Sequence, residues 1–155
     1  ARTMGVSLGL CYRYFDSKQI LFNTAIDLYI EECCNSYLAI LHDSTITIKD
    51  KIDALFTSIG DEHSNMQYYD FFHRVENEEL HEQLSIKLCK YMYPHLLEAV
   101  KKAIAAKEIY IENPEALISF IIYGQVGLLS KSNIDHHEVA KLLNQYVNQL
   151  MKFNP

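Results

Sequence analysis

The chain has 155 residues, 49% of them hydrophobic and 22% charged, a balance that excludes intrinsic disorder. Five glycines and three prolines disfavour β-sandwiches, propellers and glycine-rich nucleotide folds, and no apolar run reaches the ~18 residues of a membrane-spanning helix. The net charge of −6 speaks against nucleic acid for the chain as a whole, but residues 1–19 carry Arg2, Arg13 and Lys18 against Asp16 alone, leaving 11 of the 14 basic and 19 of the 20 acidic residues in the remainder.

Helical periodicity dominates, and the expected class is all-α with about nine helices and no convincing strand. Ala1 to Met4 reads as the end of a helix stopped by Gly5. Ser7 is a good N-cap for a short helix reaching Phe15. Val6 reads as an apolar plug, and Leu10 or Cys11 with Tyr14 or Phe15 would pack inward. Ser7, Leu8, Gly9, Tyr12 and Arg13 then fall nearer the outer face. Gly9 is costly inside a helix and makes sense where backbone must approach another surface closely. Asp16-Ser17 caps a long helix from Lys18 to about His42.

Thr47-Ile-Lys-Asp50 resembles a capping box and opens a helix expected to end at Gly60. Met66 to Val75 reads as a short aromatic helix. Asn77, with Glu78 and Glu79 in the first turn, opens another that runs to about Ile109, with a kink or break expected before Pro94. Asn113-Pro114-Glu115 is a strong start for a helix to about Ser132, and Asp135 starts the last, which ends near Phe153.

The stretch Gly5-Val-Ser-Leu-Gly-Leu-Cys-Tyr-Arg-Tyr-Phe-Asp-Ser-Lys18 is a glycine turn, a capped helix, a second cap and the start of a long helix. It resembles the end of the DNA-binding domain of the tetracycline-repressor (TetR) family, at Ala1, Gly5, Val6, Ser7, Gly9, Tyr12, Tyr14, Phe15, Ser17 and Lys18, with Ile20 or Leu21 at the last apolar place. The resemblance covers about twenty residues and implies two parts. Residues 1–20 would be the C-terminal part of a helix-turn-helix domain whose first helix precedes Ala1, and 21–155 a helical ligand-binding and dimerisation domain.

That likeness implies that Ser7 caps the recognition helix and that Leu8, Gly9, Tyr12 and Arg13 face the major groove. Tyr12, Tyr14 and Lys18 would contact the DNA backbone, Thr3 would reach phosphate, and Arg13 is the best candidate for reading a base, since a guanidinium pairs with guanine O6 and N7. It further implies a cytoplasmic homodimeric repressor on a near-palindromic double-stranded operator, released by a small-molecule effector.

In the body, Tyr68, Tyr69, Phe72, His73, Tyr91, His95, Phe120 and Tyr123 are the expected lining for a small, largely apolar or aromatic effector, and Asp70 or Glu76 would favour a cationic one. The last two helices carry more apolar surface than a monomer needs. Leu117, Ile121, Gly124 and Leu128, with Val139, Leu143, Tyr146 and Leu150, are the expected dimer interface.

No catalytic signature is visible, and neither a cofactor nor a metal is expected. His73 and His81, eight residues apart, are a poor metal pair. Four cysteines without CxxC spacing read as reduced thiols, with Cys11 in the capped helix as a redox-sensor candidate. The rival readings are a helical protein–protein module and a metal- or thiol-responsive regulator.

Overall fold

A computed structural model describes residues 5, 7–62, 69–72, 74–129 and 135–153. Their helices are α1 (Leu8–Tyr14), α2 (Lys18–His42), α3 (Ile48–Glu62), α4 (Tyr69–Phe72), α5 (Glu78–Ala105), α6 (Pro114–Gly124), α7 (Val126–Leu129) and α8 (His136–Leu150). Because α4 and α7 are four residues each, six helices exceed a single turn, not the nine expected.

Most helix starts follow from local chemistry. The Ser7 hydroxyl accepts from the Leu10 N–H at 3.2 Å, and Ser17 accepts from Ile20 at 3.1 Å. Thr47 and Asp50 form a reciprocal capping box: the Asp50 carboxylate accepts from the Thr47 N–H at 3.3 Å, and Thr47 Oγ1 accepts from the Asp50 N–H at 3.2 Å. Asn113 accepts from Ala116 and Asp135 from His137, both at 2.9 Å. The Glu108 carboxylate adds a cap from 60 residues away, accepting from the Ile48 N–H at 2.7 Å at the positive end of α3.

Several helix ends depart from the expected ones. α3 continues past Gly60 to Glu62. The aromatic segment 66–75 keeps only the single turn α4 among the described residues, and a 3₁₀ turn, Val75–Asn77, follows. α5 runs unbroken through Pro94, which removes one backbone donor on an exposed face without ending the helix. The helix from Asn113 stops at Gly124, and Gln125 separates it from α7; glycines at 124 and 127 weaken propagation there.

A strand pair was also not expected. β1 (Ile109–Tyr110) pairs antiparallel with β2 (Lys152–Phe153), so Ile109 leaves α5 and Phe153 leaves α8. The chain reaches β1 through Lys107, whose φ of 61° is left-handed. Glu108 donates to the Ala103 carbonyl and Lys107 to that of Ile104, the two bonds of a Schellman ending. Glycine is the usual residue there. Lys107→Gly is therefore expected to raise stability by about 0.5–1 kcal/mol, read as a higher urea midpoint at unchanged slope.

Among the described residues the core forms two apolar clusters. The larger joins the end of α2 to α3, the second half of α5, β1, α6 and α8 through Leu41, Ile52, Val100, Ile109, Ile118 and Val147. The smaller joins Ile26, Ile30 and Cys34 of α2 to Phe72 and Leu84. Asp53 links α3 to α8, accepting from Lys49 Nζ at 2.7 Å, Asn144 Nδ2 at 2.9 Å and Asn148 Nδ2 at 3.3 Å.

The Lys49 hydrogen bond, with the two amides, holds the Asp53 carboxyl below its ordinary range. A depressed carboxyl stabilises the fold above its unfolded value and loses that contribution as pH falls through the folded one. The stability difference between wild type and Asp53→Asn is expected to be about 1 kcal/mol or less, since about a third of the Asp53 side chain meets solvent. It should shrink as pH falls below about 4, which urea melts at several pH values would read.

Candidate functional site

The N-terminal segment places a short capped helix with its charged and aromatic side chains outward. Gly5 has φ of 65°, the left-handed turn its position suggested. Tyr12 is 55% and Tyr14 72% exposed, and Arg13 and Lys18 are exposed beside them. Cys11 and Phe15 are half-buried, so of the candidate inward residues Leu10 and Tyr14 turn out instead. Thr3 and Val6 lie outside the described residues, and only the backbone of Leu8 is described.

Two features of this segment have no internal compensation. A Cβ on Gly9 would meet nothing within 4 Å, so no neighbour among the described residues requires a glycine there. Neither α1 nor α2 has an acid in its first turn, and α2 instead starts with Lys18 at its positive end, with Asp16 lying before the cap. That arrangement costs a few tenths of a kcal/mol and is relieved by an external anion.

The body holds a partly open cavity of about 260 Å³. One stripe of α2, Tyr29, Cys33, Tyr37 and Leu41, forms a wall at spacings of four. α3 contributes Ile48, Lys51, Ile52, Leu55, Phe56 and Ile59, and α5 a face from His81 to Val100. Ile118, Ile121 and Ile122 of α6, Val126 and Leu129 of α7, and Val147 with Met151 close it.

Of the expected effector residues, Phe72 lines this cavity, with its ring stacked 5.2 Å from that of Tyr29. Tyr91 and His95 do not; His95 packs on Tyr91 at 5.7 Å and on His42 at 5.5 Å. Phe120, 69% exposed, and Tyr123 lie on the outer side of α6. Glu76 is exposed and off the cavity wall. Tyr68 and His73 lie outside the described residues, and of Tyr69 and Asp70 only the backbone is described.

The wall is thus aliphatic and sulfur-rich more than aromatic. Burial pushes the Cys34 thiol up to about 12 and the Cys89 thiol to about 11. Both stay protonated near neutrality and are poor nucleophiles. Cys89 Sγ donates to the Ile122 carbonyl at 3.2 Å. All four cysteines are free thiols, and among the described residues no group of three or more His, Cys, Asp or Glu could hold a metal ion.

The expected dimer residues divide. Val139 and Leu143 are buried in the chain's own core, because this face of α8 packs on α3. Ile121 faces the cavity, Leu128 packs on the larger cluster and Leu117 is half-buried. Gly124, Tyr146 and Leu150 remain exposed, and Leu142 joins the last two at spacings of four. The outward apolar stripe of α8 is therefore 142, 146 and 150, next in register to the buried one.

No described helix is long and apolar enough to cross a membrane. No protein-family model, curated protein or solved structure matches the chain.

Proposed function

We propose that the chain is part of a homodimeric, sequence-specific DNA-binding regulator of the tetracycline-repressor type, a repressor released by a small effector. α1 enters the major groove with Arg13 on a base edge, and Tyr12, Tyr14 and Lys18 hold the phosphates. The outward faces of α6 and α8, with Phe120, Tyr146 and Leu150, pair two copies around a two-fold axis. The effector occupies the helical body.

The observation that carries this reading is the continuity of α2. Its first residue, Lys18, follows α1 by three residues, and its later stripe from Tyr29 to Leu41 walls the cavity. A helix of 25 residues is about 37 Å long. A ligand that fits one packing of α2 better than another shifts the position of α1, and with it the spacing of two heads on DNA.

Selection from random double-stranded DNA by the natural full-length protein is expected to enrich a near-palindromic site. Gly9→Ala then separates folding from recognition. It is expected to stabilise α1 by about 0.5–1 kcal/mol and to weaken the selected site by about tenfold, because the new methyl stands between backbone and phosphate. Enrichment of no sequence would favour a helical protein–protein module. Unchanged affinity in Gly9→Ala would remove α1 from the interface.

A further inference from the structure

The cavity's shape and charge narrow the chemistry of its occupant beyond what the regulator reading requires. It follows α2 from Tyr29 to Leu41, about 18 Å. α5 borders it over a longer stretch, from His81 to Val100. The two helices run alongside in the same sense, since Asp27 pairs with Lys87 near one end and His42 meets His95 near the other. Spread over that length, about 260 Å³ makes a slot and not a rounded chamber. A compact fused-ring molecule would leave much of such a slot empty, whereas an extended hydrocarbon chain follows it.

Charge sets the head group. No aspartate or glutamate is among the described residues that line the slot, and Lys51 is its one lysine. Lys51 Nζ donates to the Leu41 carbonyl at 2.8 Å, which anchors the ammonium at the end of α2. An ammonium has three donors. The Asp43 carboxylate, which feels the charge of Lys51, already accepts from Thr45 N–H at 2.8 Å and Thr45 hydroxyl at 2.6 Å. At the far end the Ser85 hydroxyl is turned back to the His81 carbonyl at 2.9 Å, so the Lys51 end is the one that suits an anion.

We propose that the slot binds a single unbranched fatty carboxylate, its head group on Lys51 and its chain along the Tyr29–Leu41 stripe of α2. This rests on the body being the effector-binding part of the protein. An anionic apolar chain is also the opposite of the cationic effector that Asp70 or Glu76 would suit.

The test is calorimetric titration of the full chain with hexanoate, decanoate and dodecanoate below their micelle-forming concentrations, against methyl dodecanoate and adamantane carboxylate. Affinity is expected to rise by about fourfold per methylene along the series, the value of about 0.8 kcal/mol per buried methylene. Lys51→Met is expected to weaken dodecanoate by about tenfold and leave the methyl ester unchanged. Met92→Trp, which fills the middle of the wall, is expected to abolish decanoate and dodecanoate binding. Adamantane carboxylate binding as tightly as dodecanoate would overturn the proposal, as would equal losses for acid and ester in Lys51→Met. Adding the same ligands to the protein–operator complex separates the two readings. Dodecanoate bound without effect on DNA leaves the slot assignment standing and sinks the regulator. Release of DNA by a compact ligand alone does the reverse.

Discussion

Ile109→Ala is expected to destabilise the protein by about 2–4 kcal/mol, whereas Tyr110→Ala, one residue on, should cost less than about 0.5 kcal/mol. The two residues make up β1, and successive strand residues point to opposite sides. Ile109 is 2% exposed and packs in the larger cluster; Tyr110 is 64% exposed. The cost at Ile109 is the lost transfer energy of the side chain plus the void it leaves between α5, α8 and β2. Loss of β1 would also release β2, which holds the segment after Met151, a wall residue of the slot. For a domain of this size the expected fall in Tm is roughly 4–16 °C. Equal effects at the two positions would mean that β1 is not seated as described.

Local signals are legible in this sequence and long-range ones are not. Ser7, Ser17, Thr47, Asn113 and Asp135 each announce a helix start because a cap needs only residues within three positions. Helix ends were less legible. Lys107 in the left-handed region has no glycine to mark it, and β1 pairs with a segment more than forty residues away. Glu108 capping Ile48 was likewise invisible.

At the site, the outward display of Tyr12 and Arg13 was legible from the capped helix, whereas the cavity wall was not. Phe120 and Tyr123, aromatic like the expected lining, lie outside. The true wall uses Leu, Ile, Met and Cys, the residues of any core, and pattern alone does not tell a lined void from a packed interior. A clue in the sequence is the Tyr29, Cys33, Tyr37 stripe of α2, whose polar-tipped side chains repeat every four residues. Val139 and Leu143 lie in the chain's own core for a related reason: two apolar stripes run along α8, and sequence does not say which one α3 covers.

The second large effect concerns DNA. In the full-length protein, Arg13→Ala is expected to cost about 1–3 kcal/mol of operator binding, a loss of about 5- to 150-fold, with relaxed preference at one base position. Lys18→Ala should act differently. A phosphate contact carries no sequence information, so binding to all sequences should weaken together and the slope of log affinity against log salt should fall by about one unit. Both side chains are exposed, so neither change should move Tm appreciably, and a loss of binding is not a loss of folding. The contrast is what makes the pair informative. Arg13 sits in the last turn of α1, one residue before its end, where it can reach past the backbone, whereas Lys18 sits at the start of α2, where the helix terminus already favours an anion. Loss of sequence preference in Lys18→Ala, with Arg13→Ala changing only the salt slope, would exchange the two roles and require α1 to lie across the backbone instead of in the groove. If both variants keep wild-type affinity and salt dependence, the exposed face of α1 serves a partner other than DNA.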